Sequence, residues 1–240
     1  MSLAELALPL AQSGIQLSER STDACPANNG VCPGWIFENF DRYWLPLQQH
    51  VVLVVISVIA GFVIAFALAI IAHRLTWTMQ PISLTTQVLY TIPSIAAFFL
   101  LQPIVGRGFA PAVIALTVYT LFILFANITA GLQNVPEDIK DAARGMGLTE
   151  NQLLRQVELP LAMPEILAGL RIATTTTIGL TALVFFAGAG GLGQPIVQDK
   201  EFTGNVLAAG GLCLLLAAIS DLLILGVQRI ALPWRRVGTT

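Results

Sequence analysis

Val51–Ala72 is an unbroken apolar run without a charged residue. A helix of that length crosses about 30 Å of hydrocarbon. Similar stretches follow at about Leu84–Val105, Phe109–Leu132, Pro164–Ala187 and Asn205–Ile230. Hydrophobic residues make up 55% of the chain and charged residues 11%, against about 25% charged in soluble domains. The expected fold class is therefore all-α, a polytopic membrane protein of about five transmembrane helices. Within the first span, Gly61, Ala65 and Ala69 form a stripe of small residues, which favours close helix packing over lipid exposure. The expected organisation is an extracytoplasmic N-terminal segment over 1–50 and a transmembrane domain over 51–240.

Between the third and fourth spans lies a polar island, Asp141–Pro160, with Lys140 before it and Arg144 and Arg155 inside it. Ala142 and Ala143 are good helix formers whose small side chains let a partner surface approach closely. Gly147 stands where a first helix should end, because glycine tolerates the left-handed C′ position. Thr149 reads as the N-cap of a second helix, with Gln152 three residues on completing a capping box. Leu153, Leu154 and Val157 then share one apolar stripe, and Pro160 is expected to close the unit.

The order Asp141-Ala142-Ala143, Gly147, Val157-Glu158-Leu159-Pro160 resembles the Glu-Ala-Ala signature of the membrane subunits of ABC importers, with Asp141 for Glu and Val157 for Ile. The resemblance implies a type I importer permease in which about 136–160 forms coupling helices seated on a separate ATPase. The coupling positions carried over are Asp141, Ala142, Ala143, Gly147, Val157, Leu159 and Pro160. The bland reading of the same residues is an amphipathic helical hairpin on the membrane surface. Longer stretches, Tyr90–Ala96, Ala142–Thr149, Val157–Arg171 and Gly188–Ile196, resemble permeases of osmoprotectant importers, which carry glycine betaine, choline or carnitine. That branch implies a second permease subunit, identical or homologous, cytoplasmic ATPase subunits, and an external substrate-binding protein that holds the aromatic cage for the quaternary ammonium. The rival readings are a permease for another small solute, such as methionine or a sulfonate, and an ATP-independent carrier or scaffold.

Other classes find no support in the residues. Net charge is −2, which leaves no nucleic-acid footprint. Two His and three Cys do not suggest a metal centre. No Ser/His/Asp or Cys/His set suggests an enzyme. Neither Lys140 nor Lys200 lies in a Gly-x4-Gly-Lys-Ser/Thr loop, so no cofactor is expected in this chain and ATP with Mg2+ belongs to the partner ATPase. Gly188-Ala-Gly-Gly-Leu-Gly193 is read as a tight turn rather than a phosphate loop, because no strand precedes it.

Placing the His73 loop, the 136–160 segment and the C-terminus on one side puts most of the 12 Lys and Arg residues there, among them Arg74, Lys140, Arg144, Arg155, Arg229, Arg235 and Arg236. Arg20, Arg42, Arg107 and Lys200 fall on the other side. The positive-inside rule then makes the first side cytoplasmic, in a plasma (inner) membrane, with the N-terminus outside. Met1–Gly14 carries Glu5 and no basic residue, which argues against a secretory signal. An external N-terminus is also the side on which Cys25 and Cys32 would form a disulfide; two free thiols are the alternative. The aromatic cluster from Trp35 to Trp44 suits the headgroup level, or a lid over the bundle.

Polar groups inside the spans are costly. Asp221 in span five and Arg171 in span four are expected to pair, as a structural tie or as a gating element. Pro93 is expected to bend span two and free the carbonyl of Leu89. Tyr90, Pro93, Ser94, Asn127, Thr174, Thr175 and Thr177 are the candidate lining of a translocation path; the alternative is that such side chains join helices by hydrogen bonds.

Overall fold

The computed structural model describes residues 33–198 and 201–232, and all regular structure among them is helical. The Cys25–Cys32 pair lies outside the described residues, as do Arg20, Lys200, Arg235 and Arg236.

A short helix α1, Pro33–Glu38, leads into α2, Asp41–Arg74, the first span. α2 begins at Asp41, so the expected boundary at residue 50 falls inside a continuous helix. Its buried line runs through Leu53, Ser57, Gly61, Ala65, Ala69 and Ala72. These residues meet α5, Phe109–Gln133, the most extensively packed helix of the bundle. A Cβ at Gly61 would run into the Thr120 side chain, so the small-residue stripe is what lets these two backbones close on each other.

Span two is not one bent helix. It is α3, Met79–Thr91, and α4, Ser94–Val105, meeting at 98°. Two causes coincide. A residue before proline is excluded from the α region, and Ile92 is extended with ψ 127. The Tyr119 hydroxyl then bonds the exposed Ile92 carbonyl, which holds the break open toward α5. The carbonyl of Leu89 is not free, since the Ile92 N–H reaches it at 3.4 Å.

After α5 come α6, Glu137–Gly145, and α7, Glu150–Leu153, then one π-helical turn over Leu154–Glu158 and α8, Leu159–Thr181. Pro160 does not close the hairpin as expected. It is the second residue of α8, directly after the π-helical turn whose last bond runs from the Leu159 N–H to the Leu154 carbonyl, so the chain passes from hairpin to span without a stop. A 3-10 turn at Val184–Ala187, the glycine turn, α9 (Gly193–Gln198) and α10 (Thr203–Ala231) complete the chain.

Among the described residues, α2, α5 and α10 are long and apolar enough to cross a membrane, and the α3–α4 pair makes a fourth such crossing if it counts as one span. α8 does not reach that composition because it carries Glu165, Arg171 and four successive threonines. It packs against α5 on one side and α10 on another, so protein rather than lipid receives much of its polar surface. The main core joins α2, α5 and α8 through Ala65, Ala69, Leu124, Phe125, Ile128, Ala162 and Ile166.

Candidate functional site

The 136–160 segment folds from local signals. Pro136 caps α6, whose first turn carries Glu137 and Asp138 and whose last turn carries Arg144, the arrangement that complements the helix dipole. Gly147 has φ +86. Its N–H bonds the Arg144 carbonyl at 2.9 Å and the Leu148 N–H bonds the Ala143 carbonyl at 3.2 Å, a glycine-dependent helix end. The capping box forms as expected, with the Thr149 N–H donating to Gln152 Oε1 at 2.9 Å.

Arg144 staples this hairpin. Its guanidinium contacts Glu137 and Asp141 at 3.1 Å and Glu150 at 3.2 Å. The Arg144 hydrogen bond, and after it Lys140, holds the Glu137 carboxyl below the usual carboxylate range. The three carboxylates in turn keep the guanidinium firmly protonated. Asp141, Ala142 and Gly147 are exposed, Ala143 is buried, and Val157, Leu159 and Pro160 are half-buried. Thus the first half of the motif presents a surface, while the second half docks on the bundle.

The residue that sequence reasoning passed over is Glu158. It is only 4% exposed. Its Oε2 accepts from His73 Nε2 at 2.9 Å, and Lys140 Nζ lies 3.8 Å from Oε1. Lys140 also reaches Glu137 at 3.2 Å. Beside this cluster, Arg74 Nη2 donates to Asn151 Oδ1 at 2.5 Å. The end of α2 is therefore bonded twice to the hairpin. The available signal was a carboxylate set between Val157 and Leu159, in a stretch otherwise meant to be buried.

Arg171 and Asp221 meet in a two-point contact, Nε to Oδ1 at 2.7 Å and Nη2 to Oδ2 at 2.8 Å, joining α8 to α10. The fork geometry matches a carboxylate in a way lysine would not.

The candidate path residues are more scattered. Tyr90, Pro93 and Ser94 lie at the α3–α4 break, with the Tyr90 ring 5.8 Å from Tyr119 and 5.0 Å from Phe122. Asn127 Nδ2 donates to the Ile123 carbonyl at 2.8 Å and its side chain fills the space left by Gly169. Thr174, Thr175 and Thr177 each donate one helical turn back, to Leu170, Arg171 and Ala173. Among the described residues no hydrogen bond joins any two members of this set.

At the opposite end of the bundle, α2 grips the glycine turn. The Gly191 N–H donates to Gln49 Oε1 at 3.2 Å, and the Leu192 N–H meets His50 Nδ1 at 3.3 Å. His50 Nε2 lies 3.0 Å from the Ile178 carbonyl. A carbonyl requires a donor and an N–H requires an acceptor, so the two contacts together select the neutral Nε2–H tautomer. Gly188, Gly190 and Gly191 all have positive φ, consistent with the expected tight turn.

The osmoprotectant import permease protein OsmW of Salmonella typhimurium is 35% identical over 77% of this chain and 89% of its own length. The glycine betaine/carnitine/choline transport system permease protein OpuCD of Bacillus subtilis is 32% identical over 85% of this chain and 87% of its own. Among solved structures, an inward-facing MetNI methionine ABC transporter superimposes with TM-score 0.65 at 25% identity, over 78% of this chain and 93% of that one. An amino acid ABC transporter shares the fold with TM-score 0.68 at 18% identity, over 81% of this chain and 96% of that one. Residues 57–231 match the model of binding-protein-dependent transport system inner membrane components, and the chain belongs to that family of ABC importer permeases.

Proposed function

We propose that this chain is the membrane-spanning subunit of an importer for osmoprotectants, zwitterions or cations built on a quaternary ammonium such as glycine betaine, carnitine and choline. The substrate class is supported by the printed names of its relatives. The mechanical reading rests on one observation: a capped hairpin whose exposed half is free to take a partner and whose other half is bonded to α2 through His73 and Glu158. A separate ATPase closes on Asp141, Ala142 and Gly147, and its movement enters α2 and α8 together. The path then alternates between two faces. The chain has no enzymatic step of its own; ATP and Mg2+ act on the partner.

In this reading the hairpin faces the cytoplasm, residues 1–50 begin outside, and a substrate-binding protein delivers solute to the end that carries the glycine turn. A second permease subunit, identical or homologous, completes the pathway. The test is ATP hydrolysis by the reconstituted complex with its binding protein, measured with each quaternary amine in turn. Stimulation by at least one of them is expected, and loss of that stimulation on Ala142→Trp, which would block the exposed docking surface. Methionine uptake is the second reading, favoured by the likeness to the methionine transporter structure; stimulation by methionine and by no amine would select it.

A further inference from the structure

The cavity of about 290 Å³ at the end of the bundle opposite the hairpin has no role in the coupling scheme. Phe99, Arg107, Phe185, Phe186, Gly188 and Gln194 are among the residues that line it. Its volume is at the small end of ligand clefts, roughly 300–1,000 Å³, the scale of a small metabolite rather than of a peptide.

Its frame is built. The Gly108 N–H donates to the Ala187 carbonyl at 2.7 Å, and Gln102 Nε2 donates to the Phe186 carbonyl at 3.2 Å. These bonds hold the α4–α5 loop against the 3-10 turn after α8. Gln49 and His50 hold the glycine turn on the other flank. Gly188 has φ +80, and a Cβ there would stand 3.9 Å from Arg107 Nε. Glycine therefore leaves open the space beside the guanidinium. Among the described residues Arg107 has no carboxylate partner, although every other Arg and Lys contact of the hairpin and of α8 is with an acid or an amide. Phe185 and Phe186 are set edge to face, with centroids 5.8 Å apart and planes at 67°, so their faces point in different directions around the cavity.

We propose that this cavity is a transfer subsite for a small zwitterion that carries both a quaternary ammonium and a carboxylate. Arg107 receives the carboxylate as a charge-assisted pair. The faces of Phe99, Phe185 and Phe186 receive the methylated ammonium, which an aromatic quadrupole attracts and which offers no N–H to satisfy. The positive-φ backbone of Gly188 lets the carboxylate lie close to the chain. The subsite rests on the quaternary-amine reading above, and it adds a selectivity that the reading lacks: solutes with a carboxylate gain a contact that choline cannot make.

The experiment is uptake by the complete complex in proteoliposomes with saturating liganded binding protein, comparing glycine betaine with choline, which ends in a hydroxyl where betaine has a carboxylate. Arg107→Gln is expected to lower the betaine-to-choline ratio of maximal rates about tenfold, the loss of one charged hydrogen-bonded contact. Arg107→Lys restores part of the ratio. Phe99→Leu is expected to slow both solutes and leave the ratio unmoved. An unchanged ratio in Arg107→Gln overturns the subsite while the importer reading stands. Equal loss for both solutes, together with weaker binding of the loaded binding protein to the complex, makes Arg107 a docking contact and also overturns it. A wild-type complex that moves neither amine removes the substrate reading itself, and the subsite with it.

Discussion

His73 Nε2 donates to Glu158 Oε2 across 2.9 Å, which ties the last turn of α2 to the π-helical turn leading into α8. With Lys140 on the other carboxylate oxygen, one buried acid joins three elements. A π-turn is a frequent companion of functional sites, and here it carries the buried Glu158.

Glu158→Ala leaves His73 and Lys140 without their common acceptor. Removing one partner of a buried pair costs about 3–5 kcal/mol, and partial exposure of His73 puts the expected loss near the lower figure. A lower melting temperature of the detergent-solubilised complex measures it. Glu158→Gln keeps the shape and one acceptor oxygen. Its expected signature is hydrolysis without matching transport, read as a fall in solute moved per ATP. A Glu158→Gln complex with wild-type stoichiometry would show that the tie carries no motion.

Arg171→Ala and Asp221→Ala should each damage assembly, because each strands a charge between α8 and α10. A lone charge deep in a span costs about 2.5–3.5 kcal/mol on insertion scales. The exchange Arg171→Asp with Asp221→Arg should recover part of the yield of folded complex in size-exclusion chromatography. Two single alanine variants that assemble and transport normally would end the idea that the pair holds the helices in register.

At Gly61, any side chain meets Thr120. Gly61→Ala is expected to cost about 1–3 kcal/mol through overpacking, and Gly61→Leu to prevent folding. Thr120→Ala in the Gly61→Ala background should return part of the loss, since it removes the hydroxyl oxygen that the new Cβ would overlap and leaves the Thr120 Cβ position 2.8 Å away. Thermal unfolding of the two variants side by side decides it. No rescue would mean that the α2–α5 distance is set elsewhere.

The Arg144 staple has a defined pH signature. Its hydrogen bond to Glu137 lowers that carboxyl below its ordinary value of 4.5. A depressed carboxylate pKa stabilises the fold above the unfolded value, and that contribution fades as pH falls through the folded one. Amide protection in the hairpin, measured against the exchange of an unstructured chain at the same pH, should therefore hold from neutral pH down to the ordinary carboxylate range and fall below it. In Arg144→Gln the hairpin should already be less protected at neutral pH, and its further loss on acidification should be smaller, because the main cause of the depressed Glu137 carboxyl is gone. An identical profile in both proteins would remove Arg144 from the ordering of the hairpin.

Much of this molecule is written locally. Apolar runs are long because the bilayer demands it, so the ends of α5 and α10 fall within a few residues of their expected places. Gly147 and the Thr149–Gln152 box act over three or four residues, and they form as a short stretch of chain dictates. The paired charges of Arg171 and Asp221 were legible for a related reason: in a span, a charge has few ways to be satisfied.

What the chain could not declare by itself are relationships between segments far apart in it. Pro93 announces a disturbance, but only the Tyr119 hydroxyl on the Ile92 carbonyl accompanies a 98° break rather than a kink. The threonine run suggests a polar path, yet the hydroxyls of Thr174, Thr175 and Thr177 each find a carbonyl one turn back in their own helix. Glu158 has its acceptor role only because α2 brings His73 to it from 85 residues away. Hydrophobic length and capping are properties of neighbours along the chain, whereas the partner of a buried polar group is chosen by packing, and packing exists only in the assembled fold.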